Sequence, residues 1–114
     1  MQVNVLGTPY NIVFKKENED AILKGADGYT DKTTKEIVIL DEARDGEDSV
    51  SDFARYKRAT LRHELIHAFL NESGLGASAE YGRLVNEHPE MMIDWFALQF
   101  PKILKAYEEA ECLD

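Results

Sequence analysis

The chain has a single cysteine, Cys112, two residues from the C-terminus. One thiol excludes an intramolecular disulfide and any cysteine-built metal cluster, and it suits a reducing compartment. No apolar run approaches the length of a membrane span. Residues 1–11 show no basic stretch leading into an apolar one, so no secretory leader is read there. These absences predict a cytoplasmic protein with no membrane partner. Basic residues are scarce: 13 Lys and Arg stand against 22 Asp and Glu, a net charge of −9. Such a surface repels phosphate backbones and anionic lipid, so no nucleic-acid partner is expected. Arg55, Lys57, Arg58 and Arg62 form the one basic cluster, read as the solvated face of a helix. Internal repeats and low-complexity segments are also lacking.

A length of 114 residues predicts a single domain, 1–114. Its first part, 1–48, reads as strands and turns. Val3, Val5 and Leu6 suggest a short strand before a turn at Gly7-Thr8-Pro9. Tyr10, Ile12 and Phe14 alternate as in a half-buried strand. A further short strand is expected at Tyr29, and Glu36 to Leu40, nearly continuous in apolar residues, is the strongest strand in the chain. The part 49–114 reads as helical. A helix is expected from about Ser51 to Ser73, capped by Ser49 or Ser51 and stopped by Gly74 and Gly76. Its second half is apolar on most of its circumference, which predicts a largely buried helix. A short helix is expected near Ala79 to Val85. A last helix should start at Pro89, with Ile93, Phe96, Phe100, Ile103 and Tyr107 on its core face and a kink or break at Pro101.

Histidine is rare too, yet two of the three lie four residues apart, in the run His63-Glu64-Leu65-Ile66-His67. On a helix, that spacing puts both imidazoles on one face about a turn apart, where both reach a single ion. Neutral imidazole is a good zinc ligand. Glu64 flanks the pair and is placed to act as general base, taking a proton from a water that zinc has acidified. This is the HExxH pattern of zinc peptidases. Two histidines hydrogen-bonded within a core would be the structural alternative. A catalytic zinc needs a third protein ligand. Glu90 is favoured, with Asp94 behind it to orient a histidine N–H; His88, Asp94, Glu87 and Glu80 are rivals for the ligand role. Compensation of the helix dipole would also account for Glu90.

The run Arg62 to Leu70, followed by Glu72-Ser73-Gly74-Leu75, resembles the small metallopeptidase-like proteins of phages and mobile elements that are related to ImmA/IrrE-type peptidases. Glu90 to Ala97 resembles that family's second motif. The resemblance covers roughly 36–104. It implies a minimal zincin-like α+β fold: a small, mainly antiparallel N-terminal sheet packed on the HExxH helix and a C-terminal helix. It implies His63, His67 and Glu90 as zinc ligands and Glu64 as base, and it puts the strand Glu36 to Leu40 along the cleft. The more distant SprT-like proteins use a histidine as third ligand, which would select His88. The expected activity is peptide-bond hydrolysis on a peptide or protein substrate lying along the strand Ile37 to Leu40, with Tyr81 or Arg83 as oxyanion donor by residue type alone. The alternatives are a non-catalytic, zinc-stabilised accessory protein and, from charge alone, an acidic mimic of nucleic acid.

Overall fold

The computed structural model describes residues 1–45, 50–75 and 90–114, with the backbone alone at 90–94 and 97. Among these, four strands build one sheet and two long helices pack on it. The strands are β1 (Gln2–Val5), β2 (Thr8–Lys15), β3 (Gly28–Asp31) and β4 (Glu36–Leu40); the helices are α1 (Phe53–Glu72) and α2 (Glu90–Glu109). The order across the sheet is β1-β2-β4-β3. β1 and β2 are antiparallel, β2 and β4 parallel, and β4 and β3 antiparallel. The chain is therefore an α+β protein with a mixed sheet.

The first hairpin turns on Leu6 and Gly7, both at positive φ (52° and 93°), between the paired residues Val5 and Thr8. A two-residue turn with both φ positive matches the twist of the flanking strands. The side-chain oxygen of Asn4 accepts the Gly7 N–H at 2.7 Å and helps hold it. Between β2 and β3 the chain makes two short 3-10 turns, Glu17–Glu19 and Ala21–Lys24.

The continuous apolar character of β4 has a simple cause. Ile37 and Ile39 face the main core with Leu61, Leu65, Ala68 and Phe69 of α1. Val38 and Leu40 face the other way, into a small cluster with Leu23 of the second 3-10 turn. A strand buried on both sides loses the polar half of its alternation. β4 is thus central, and the outer strand beyond it, among the described residues, is β3. The expectation that Glu36 to Leu40 lines the cleft is corrected by this pairing.

α1 begins at Phe53, one residue later than a cap at Ser51 would start it. Asp52 is its cap, with Oδ1 accepting the Arg55 N–H at 3.1 Å. Ser51 is not the cap, and Ser49 and Gly76 lie outside the described residues. Gly74, at φ 83°, ends the helix in the left-handed region that favours glycine. The basic cluster is not simply a solvated face. Lys57 reaches Asp41 at 2.6 Å and lies over the Phe14 ring, and Arg62 donates to the Cys112 carbonyl.

α2 runs unbroken through Pro101. Ile103 and Ala106 are its buried face, continued by Ala110 just past its end, with Trp95 and Tyr107 packed partly against the core. Phe96 and Phe100, expected there, point outward instead, 39% and 56% exposed. The buried residues belong to the C-terminal half of α2, and the phenylalanines lie off that face. The Ile93 side chain, the short helix near 79–85 and Pro89 fall outside the described residues.

Candidate metal centre

α1 carries His63, Glu64 and His67 on adjacent parts of its surface, but in different environments. Glu64 is buried at 7% exposure, while His63 and His67 are exposed. The second half of α1 is largely buried, as expected, with His63 and His67 its exposed residues on the side away from the core. Their exposure also removes the alternative of two histidines bonded within a core.

Exposed imidazoles are free to diverge, and these two converge. Their Nε2 atoms are 3.2 Å apart, with ring centroids at 4.9 Å and ring planes at 67°. Two nitrogens on one tetrahedral zinc, each about 2.05 Å from it, would be about 3.3 Å apart. The pair fits that span. Without an ion the same distance suits one N–H donating to the other ring's lone pair, so the tautomers must differ.

Glu64 is held from the sheet. The Thr30 hydroxyl, on β3, lies 2.9 Å from Glu64 Oε1 and 3.0 Å from the Glu64 carbonyl oxygen. Its single proton is shared between them. The other carboxylate oxygen, Oε2, lies 4.0 Å from His63 Nε2. One oxygen is thus anchored and the other faces the histidine pair.

β3 can sit this close to α1 because of Gly28. A Cβ there would stand 2.9 Å from the Val38 carbonyl oxygen and 3.2 Å from the Thr60 methyl carbon of α1. A cleft of about 410 Å³ opens between the two elements, with the small residues Gly28, Ala59 and Thr60 among its lining. Glu64 and His63 lie at one end, Tyr56 and Asp27 at the other. Tyr56 donates its hydroxyl proton to Asp27 Oδ2, and Arg44 Nε donates to Asp27 Oδ1 at 3.1 Å. The Tyr56 and Arg44 hydrogen bonds hold the Asp27 carboxyl below its usual range. Thr30, Asp27 and Tyr56 are site residues that the sequence did not reveal. They belong to no motif, and only the packing of β3 on α1 brings them to Glu64.

A third ligand is not found within this set. Among the described residues, no group of three His, Cys, Asp or Glu side chains is placed to hold one ion. The side chains of Glu90 and Asp94 lie outside the described residues, as do Glu80, Glu87, His88, Tyr81 and Arg83 altogether. Two side-chain hydrogen bonds show how α2 runs against α1. Trp95 Nε1 donates to Ser73 Oγ at 3.3 Å, and the Tyr107 hydroxyl donates to the Arg62 carbonyl at 3.3 Å. α2 is therefore antiparallel to α1, and its first turn runs toward and past the C-terminal end of α1. Asp94 is one turn, about 6 Å, nearer the level of His67 than Glu90 is.

No helix among the described residues is long and apolar enough to cross a membrane. The chain matches no family model, no curated protein sequence and no solved structure.

Proposed function

We propose that this chain is a zinc-dependent metallopeptidase of the zincin type, of phage or mobile-element origin, cleaving a peptide or protein substrate in the cytoplasm. The observation that carries the reading is the 3.2 Å convergence of two exposed histidine nitrogens beside a carboxylate pinned 4.0 Å away. His63 and His67 would hold the ion, with a third ligand from Glu90, Asp94, Glu87 or His88. Zinc bound there supplies Lewis-acid chemistry and lowers the pKa of a water toward neutrality.

The chain's own residues do the rest. Glu64 Oε2 accepts a proton in the cleft, and the Thr30 hydroxyl on Oε1 keeps the carboxylate from swinging away. Gly28, Ala59 and Thr60 are the small residues of the cleft lining, along which an extended backbone would lie. β3 offers such a substrate the outer edge of the sheet, taking the place first expected for β4. Glu64→Gln tests the reading. Zinc-loaded wild-type protein should cleave members of a peptide library, and the variant should lose at least about 100-fold in rate. Equal cleavage by both would sink the general-base role.

A non-catalytic, zinc-stabilised accessory protein is the other reading. A structural site is closed by four protein ligands, whereas the His63 side chain is 68% exposed beside an open cleft. Counting protein ligands by X-ray absorption separates the two: three favour catalysis and four a structural ion.

A further inference from the structure

A cavity of about 360 Å³ lies between the tip of the first hairpin and α2, and it shares no residue with the cleft beside Glu64. Its hairpin wall is held without a ligand, because Asn4 Oδ1 accepts the Gly7 N–H at 2.7 Å across the turn. Leu6, packed partly against the core, and buried Ala106 supply apolar lining. Charge is distributed along α2, with Lys102 and Lys105 toward one end and Glu109 toward the other. Among the described residues, neither lysine makes an ion pair or a side-chain hydrogen bond. Lys105 stands one turn from Glu109 and still does not pair with it. Glu109 turns instead to the hairpin, where its Oε2 accepts the Asn4 N–H at 3.5 Å. That one long contact leaves most of the capacity of a carboxylate open. Two free amines and a nearly free carboxylate therefore border one apolar recess.

We propose that this cavity binds a zwitterionic dipeptide with an apolar side chain. Its carboxylate lies on Lys102 and Lys105, its ammonium on Glu109, and its side chain against Leu6 and Ala106. A simple anion leaves Glu109 facing it from the other end, and a simple cation meets the two lysines. A ligand carrying both signs is paired at each end. Length then selects among such ligands. From the midpoint of Lys102 and Lys105 to Glu109 is about 8 Å of helix. An extended dipeptide spans about 7 Å, a single amino acid about half of that and a tripeptide about 10 Å. The site stands whether or not Glu64 catalyses hydrolysis, since the two cavities have no lining residue in common.

The test is a titration of the isotope-labelled full chain with the dipeptide Ala-Leu, followed by NMR and with the dipeptide verified intact at the end. The amide resonances of Gly7 and Ala106 should shift saturably. Nα-acetyl-Ala-Leu and Ala-Leu amide each lack one terminal charge and should bind about two- to fivefold more weakly, the range of an exposed ion pair. Lys102→Gln combined with Lys105→Gln should erase the difference between Ala-Leu and its amide. Glu109→Gln should erase the difference between Ala-Leu and its acetylated form. All three side chains are exposed, and glutamine at 109 still offers Asn4 an acceptor, so the variants should fold. No shift at Gly7 and Ala106 overturns the site. Equal binding of the acetylated form marks an anion site alone and overturns the dipeptide assignment, as does equal binding of the amide. Free leucine binding as tightly as Ala-Leu overturns the length argument and the assignment with it.

Discussion

Replacing Thr30 with valine removes one hydroxyl and almost no volume. The structure says what that hydroxyl does: it lies 2.9 Å from Glu64 Oε1 and 3.0 Å from the Glu64 carbonyl oxygen. Valine suits a strand as well as threonine does, so β3 itself is not weakened. The loss is a hydrogen bond to a charged acceptor that is only 7% exposed. Such bonds contribute about 1.5–3 kcal/mol, and the open cleft lets water replace part of it, so about 1.5 kcal/mol is expected. With a slope of about 1.5 kcal/mol per molar urea, the unfolding midpoint should fall by about 1 M. Thr30→Ser keeps the hydroxyl and should recover most of that loss. In a peptidase assay, the loosened carboxylate should lower kcat by about 10- to 100-fold with little change in KM. An unchanged urea midpoint in Thr30→Val would refute the bond between β3 and Glu64. A lowered midpoint with unchanged kcat would refute the orienting role and leave Thr30 a purely structural brace.

Three further outcomes follow from the same geometry. His63→Ala and His67→Ala should each abolish zinc binding by isothermal titration, and zinc at 100 times its Kd should stabilise the wild-type protein alone, by about 2.7 kcal/mol. Equal thermal shifts in the variants would show that the ion binds elsewhere. Gly28→Ala drives a Cβ against the Val38 carbonyl oxygen at 2.9 Å, so it should cost about 1–3 kcal/mol in urea unfolding; a neutral result would mean that β3 is not pressed on β4 and α1. Glu72 takes hydrogen bonds from Lys35 at 2.6 Å, Tyr10 at 2.7 Å and Thr8 at 3.0 Å, and these, Lys35 foremost, lower its pKa. A carboxyl depressed on folding stabilises the protein above its unfolded pKa, near 4.3, and that stability is lost as pH falls through the lower folded value. Stability should therefore decline below about pH 4.3, and Glu72→Gln should flatten part of that decline; an unchanged pH profile in the variant would place the acid sensitivity elsewhere.

What the sequence determined by itself is what rests on local periodicity. The four-residue spacing of His63 and His67 on a helix, the stop at Gly74, and the doubly apolar run of β4 all follow from backbone geometry within a few residues. The tertiary structure decided everything that depends on which segments meet. An apolar run reads the same in a central strand as in a buried outer one, so only the pairing with β2 and β3 makes β4 central. A helix rich in apolar residues does not reveal which face meets the sheet, so the exposure of the histidines had to come from packing. Phe96 and Phe100 follow helical spacing as well as Ile103 does, yet they stand outward while Ile103 and Ala106 are buried. Thr30, 34 residues from Glu64 and in no motif, is recruited by strand placement alone. Local sequence put two histidines one turn apart on a helix, and long-range contact supplied the fixed carboxylate and the walls of the cleft beside them.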